Sequence, residues 1–152
     1  MDEIVVKAGT RSDGQGVFER LPVEEIDPGV FRILRSPAFA QGIARGDTVS
    51  LDDDGNCRVV FHSGLLVIKI YARAAVGAIA ATLGPALNSF GGEIEHENER
   101  LLVISVPVSA SFAAIEAVME QLLEGRSDAA WRYGNVYDEY GEPLNWWLAA
   151  HS

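Results

Sequence analysis

The densest group of titratable side chains in the chain is Glu93, Glu95, His96, Glu97 and Glu99. Such a run could hold a cation or move protons. On a regular strand, though, the odd-numbered carboxylates share one face and His96 takes the other. Carboxylates without an oriented imidazole make a poor transition-metal site. The run therefore reads as a solvated edge hairpin, whose charges discourage strand addition by other chains. Asp52, Asp53 and Asp54 ahead of Gly55 raise the idea of a calcium loop. An EF-hand loop needs a bidentate Glu six residues beyond its Gly, and Phe61 stands there, so the segment reads as a turn. His62-Ser63 sets a base beside a hydroxyl, but neighbours on a strand face opposite ways and no G-x-S-x-G elbow surrounds them. Gly14 and Gly16 give a G-x-G before Val17 with no helix to follow, which does not make a nucleotide loop. Cys57 is the only cysteine, so an internal disulfide and a cysteine zinc site are both excluded. Between Asn56 and Arg58 it reads as a strand residue more readily than as a reactive thiol. No catalytic residue, metal site or cofactor is expected, and the chain does not read as an enzyme.

The carboxyl-terminal aromatics are a different kind of candidate. Trp131, Tyr133, Tyr137, Tyr140, Trp146 and Trp147 crowd into one segment, interleaved with Asp138, Glu139 and Glu142, and every Trp of the chain is among them. Rings of this kind supply large rigid contact area and dominate interface hot spots. Trp131, Tyr133, Tyr137, Tyr140, Trp146, Trp147, Asp138 and Glu139 are accordingly the expected partner or ligand surface. The alternative is structural: the tail folds back, and Trp146 or Trp147 plugs an open sheet.

Charge narrows the partners. The formal net charge is −10, carried unevenly: residues 1–73 hold nine Lys/Arg against eleven Asp/Glu, and residues 74–152 hold three against eleven. An acidic half repels phosphates, so nucleic acid and anionic membrane are disfavoured, while a basic protein suits it. The start, MDEIVVKAGT, is acidic where a signal peptide is basic. Together with a single cysteine, this points to a cytoplasmic protein.

These residues need elements to hold them. Two alternating segments, VFERLPVEEI and GVFRILRS, flank Asp27-Pro28-Gly29, a turn that makes a hairpin. Pro37 to Ala44, short and punctuated by Gly, reads as a loop or a single turn. DTVSL and CRVVFHS form a second hairpin across the aspartates. Further on, Leu66, Ile68 and Ile70 alternate as in a half-buried strand. Val76, Ile79, Leu83 and Leu87 recur at helical spacing in an Ala-rich stretch that reads as a buried helix, which Gly84-Pro85 should kink or end near Leu83. EIEHENE pairs with RLLVISVPV. Ser111 caps a second helix with its apolar stripe at Phe112, Ile115, Met119 and Leu122, and with Glu116, Glu120 and Glu124 on the far side. AAWRYGNVY closes the series as a strand. The fold class is α+β: residues 1–64 form a small β-meander or partial barrel, and residues 65–152 form a ferredoxin-like βαββαβ unit with an aromatic tail.

The stretches VFRILRSPAFAQGIARGDTVSLDDDG, VVFHSGLLVIKIYA, LLVISVP and AWRYGNV resemble the bacterial family called domain of unknown function 4265. The resemblance runs from about Val17 to Val136. The chain differs from that family's pattern at Pro37-Ala38-Phe39 and after Ser63-Gly64. The family carries no assigned activity, so the resemblance implies architecture alone.

Three functions compete. The first is a non-enzymatic binding module for a protein partner, a second copy of itself in a homodimer, or a small ligand. The second is an acidic immunity-type inhibitor of a basic toxin. The third is a small enzyme with its site between the two halves, using a carboxylate or His62.

Overall fold

The computed structural model describes residues 2–54, 56–138 and 140–149. It is a mixed α+β structure with two antiparallel sheets, and it divides into two compact units.

The first unit takes residues 2–65 and, from the other end of the chain, residues 134–149. Its strands are β1 (Asp2–Thr10), β2 (Gly16–Asp27), β3 (Val30–Ile33), β4 (Thr48–Leu51) and β5 (Cys57–Phe61), and they lie side by side in sequence order. Alternation decides which residues enter the core. Ile4 and Val6, Leu21 and Val23, Ile33 and Val49 turn to one side, where Ala40 and Ile43 from the β3–β4 loop join them. The hairpin turn at Asp27-Pro28-Gly29 forms as expected, with Gly29 at φ 76°. The aspartate segment turns β4 into β5, and the Asp52 carboxylate accepts the amides of Asp54 and Asn56, both at 2.9 Å. These amides, that of Asn56 above all, hold the Asp52 pKa below its usual value.

The carboxyl-terminal segment was expected to extend the second subdomain. It belongs instead to the first unit, because Gly42 donates its amide to the Gly134 carbonyl at 2.9 Å and Asn135 Nδ2 donates to the Leu65 carbonyl at 2.8 Å. The segment ends in a short helix, α3 (Trp146–Ala149).

The second unit spans Leu66–Tyr133. It runs β6 (Leu65–Ala72), α1 (Val76–Phe90), β7 (Glu93–Glu97), β8 (Leu101–Pro107), α2 (Phe112–Leu122) and β9 (Ala129–Tyr133), with strand order β7-β8-β6-β9. Helix α1 lies against β7 and β8 and meets α2. On α2, Phe112 and Glu116 reach Tyr133 of β9, so both helices cover the same side of the sheet. Ser111 Oγ accepts the Ala114 amide at 3.2 Å, the cap that its position implied.

Three expectations for this unit are corrected. Helix α1 does not end near Leu83 but runs on to Phe90, and it is buried along one face only. It buries Val76, Ile79, Ala80, Leu83 and Leu87 and carries Pro85 within its length. Pro85 and Ala81, whose carbonyl the proline leaves without its usual helical donor, both face solvent, where water can serve that oxygen. Strand β6 is buried on both faces, Lys69 included, because it is a central strand. In β7 the register slips between Ile94 and His96, so Glu95 is a bulge. Glu93 and His96 now oppose Ser105 and Val103 on one face, while Glu97 opposes Leu102 on the other. The simple odd–even division of that cluster fails at the bulge.

No helix among the described residues is long and apolar enough to cross a membrane.

Candidate functional site

The aromatic residues singled out in the sequence divide between the two units. Trp131 and Tyr133 stand on β9 of the second unit, edge to face at 5.1 Å. Tyr133 also meets Phe112 edge-on at 5.6 Å and donates its hydroxyl to Glu116 at 3.0 Å. These half-buried rings serve to pack α2 onto its sheet. Glu116 accordingly does not lie on the solvent face with Glu120 and Glu124.

Tyr137, Asp138, Tyr140, Trp146 and Trp147 belong to the first unit. Glu139 lies outside the described residues. Trp146 is only 8% exposed, whereas Tyr137 is 48% and Tyr140 81% exposed, with Leu144 and Leu148 also open to solvent. Asp138 Oδ1 accepts the amides of Tyr140 at 2.8 Å and Glu142 at 3.0 Å, so its carboxylate shapes the turn that presents Tyr140.

What fixes this segment is Trp146. Its indole Nε1 donates to the Asn135 carbonyl at 2.8 Å, and its ring stacks on His62 at 4.8 Å with the planes 12° apart. Trp147 meets it edge-on at 5.6 Å. Of the two roles weighed for Trp146, burial favours the structural one.

His62 stands in turn beside Asp47, which sequence reasoning placed only as the start of a strand. Asp47 is 1% exposed. Its Oδ1 accepts the Ser63 amide at 2.7 Å, its Oδ2 accepts the Ala44 amide at 3.0 Å, and His62 Nδ1 lies 3.7 Å from Oδ2. Gly46, at φ 88°, must be glycine here, since a Cβ would come within 2.9 Å of Ser63 Cβ. A second carboxylate works in the same way on the loop before it. Glu19 accepts the amides of Ala38, Phe39 and Ala40 at 2.8–2.9 Å. The β3–β4 loop, irregular in sequence, is thus ordered by Glu19 of β2 and by Asp47 at its own end, which also holds the Ser63 amide.

A buried acid beside a histidine invites a catalytic reading, and the local chemistry can be followed. Ser63 Oγ donates to the Arg45 carbonyl at 2.7 Å, so its proton is committed away from His62. The Cys57 thiol is pushed up to about 12 from 9.0, first by burial and then by the Asp47 charge. At pH 8 about a tenth of an ordinary thiol is ionised, but only about one part in ten thousand of this one. Alkylation of native Cys57 by iodoacetamide at pH 8 should run at least ~100-fold slower than in the urea-unfolded chain. A native rate within tenfold of the unfolded one would show that burial does not hold the thiol back. Among the described residues no three His, Cys, Asp or Glu side chains converge to hold a metal ion.

The model for the family described as "Domain of unknown function (DUF4265)" matches residues 19–133, and the chain belongs to that family. Among solved structures it is similar to one titled "Novel crystal structure of a hypothetical protein from Neisseria gonorrhoeae". The two share 18% identity with a TM-score of 0.68, over 88% of this chain and 93% of the other, which shows a common fold. No curated protein matches the chain.

Proposed function

We propose that the protein is a non-catalytic cytosolic binding module for a basic protein partner, built from a β-meander unit and a ferredoxin-like unit. The sequence-ordered strands of the first sheet support the meander. The order β7-β8-β6-β9, with a helix after β6 and another after β8, supports the ferredoxin-like motif.

The observation that carries the binding reading is the contrast within the carboxyl-terminal segment. Trp146 is locked in place, while Tyr137, Tyr140, Leu144 and Leu148 on the same segment are left exposed. Large apolar side chains held on a fixed base lose little entropy on binding. Charge selects the partner. Residues 134–152 hold three acids and no Lys or Arg, and with residues 1–65 they total fourteen acids against seven bases. Such a surplus speeds encounter with a basic partner. An immunity-type inhibitor of a basic toxin is one form this relationship takes, and a toxin gene beside this one would support it. The enzyme reading has one observation in its favour, the Asp47–His62 pair, but no activated nucleophile beside it.

The test is quantitative affinity capture from the native cell with the wild type and the Tyr137→Ala/Tyr140→Ala double variant. A basic protein held by the wild type should be lost by the variant, with its Kd weakened ~30-fold, the scale of a single hot spot of about 2 kcal/mol. Equal capture by both, or a copy of the chain as the only partner in light scattering, would refute the reading.

A further inference from the structure

Away from the aromatic segment, a groove of about 600 Å³ opens in the second unit where β6 leads into α1 and the β7–β8 hairpin turns. Residues 73–77 and 97–100 line it. A second groove of about 360 Å³ adjoins it, sharing Arg73 and Arg100 and adding Tyr71, Ser127 and Asp128.

The larger groove is walled by charges of both signs, Arg73 and Arg100 with Glu97 and Glu99. None of these four side chains makes a hydrogen bond or ion pair with another or with any other described residue. Guanidinium and carboxylate groups pair strongly when they meet, so four of them around one groove with no contact among them leave strong donors and acceptors open toward it. A simple anion entering there would be drawn by the arginines and repelled by the glutamates, and a simple cation would meet the reverse. A molecule carrying both charges a few ångströms apart satisfies both.

The backbone adds donors. Helix α1 begins in this wall with no side-chain cap and no acid in its first turn. The amides of Val76 and Gly77, ahead of the first helical hydrogen bonds, point out of the helix start. Gly77 has no side chain to fill the space, and the nearest atom to a Cβ placed there would be Glu97 Oε2 at 3.8 Å. The adjoining groove gives room for a substituent.

We propose that this groove binds a free α-amino acid, its carboxylate held by Arg73, Arg100 and the first-turn amides of α1, its ammonium by Glu97 and Glu99.

The test is 15N–1H NMR of the full chain, titrated with each of the twenty amino acids in turn and with acetate, methylamine and dialanine. At least one amino acid should give saturable shifts in residues 75–79 and 97–100, with a Kd on the order of 1 mM for so open a groove. Arg100→Gln and Glu97→Gln should each weaken that binding by about tenfold, while Arg126→Gln leaves it unchanged. Glu97 and Arg100 are exposed and Arg126 is half-buried, and unshifted peaks elsewhere will report an intact fold. The proposal is overturned if no amino acid saturates, if acetate or methylamine binds as well as the amino acid, if dialanine is preferred, or if either charge-removing variant keeps the wild-type affinity.

Discussion

Trp146→Ala should cost the protein about 3 kcal/mol of stability, since truncating a buried Trp or Phe to Ala typically costs 3–5 kcal/mol. The lower end applies because the ring keeps 8% exposure. Two contributions can be separated. The indole N–H to the Asn135 carbonyl, at 2.8 Å, is worth about 1 kcal/mol as a neutral hydrogen bond. The remainder is ring burial together with the stack on His62. Trp146→Phe keeps a ring against His62 and gives up the hydrogen bond and part of the area, so its cost should be about half as large. With a urea slope of about 2 kcal/mol/M, the alanine variant lowers the midpoint by roughly 1.5 M and the phenylalanine variant by about half of that. Circular dichroism is the appropriate probe, because removing a tryptophan alters the fluorescence signal itself. A midpoint unmoved by the alanine substitution would mean that the aromatic segment is not anchored through Trp146, and the exposed rings beyond it would lose their fixed base.

The sequence conveyed local structure well and distant partnerships poorly. The Asp27-Pro28-Gly29 turn, the cap at Ser111 and the strand character of β6 are each decided by residues within a few positions of one another, and each was readable. The proline in α1 misled because the cost of a helical proline depends on which way it faces. Pro85 lies on the solvent side, and the apolar stripe that carries the helix past it runs along the other. The Glu95 bulge depends on the register of a partner strand, which a single-strand pattern does not contain. The same holds for the candidate site. Crowding of rings at the carboxyl terminus was visible, but its division between two units was not, since the cut falls at Gly134 inside an apparently continuous run. Asp47 and Glu19 were missed for a related reason. Apart from Ala44, three residues before Asp47, they serve amides 16 to 21 residues away, and nothing in a local window marks an acid as a backbone acceptor instead of a solvated charge. Burial of the acid is the distinguishing sign, and that is a tertiary property.

Asp47 supports the second large prediction, one that also decides between two meanings of its place beside His62. If its carboxylate serves chiefly as an acceptor for the Ala44 and Ser63 amides, Asp47→Ala strands two backbone donors next to a side chain that is 1% exposed. Each unsatisfied donor costs about 1–3 kcal/mol, so a loss of roughly 3 kcal/mol is expected. Asp47→Asn should recover little of it, about 1 kcal/mol, because one side-chain oxygen can serve only one amide while the new NH2 group faces the other. His62→Ala should be much milder, about 1 kcal/mol, since the imidazole is partly exposed, sits 3.7 Å from the carboxylate and contributes mainly its stack on Trp146. The expected order of cost is therefore Asp47→Ala, then Asp47→Asn, then His62→Ala, read from urea midpoints. A second readout follows from Cys57: removing the Asp47 charge takes away one of the two causes that raise its thiol, so alkylation of the Asp47→Asn variant should quicken modestly while burial still holds it well below the unfolded rate. Were His62→Ala to cost as much as Asp47→Ala, the carboxylate would be acting through the histidine. The pair would then have to be treated as an oriented acid–base couple, and the structural account of this loop would fall.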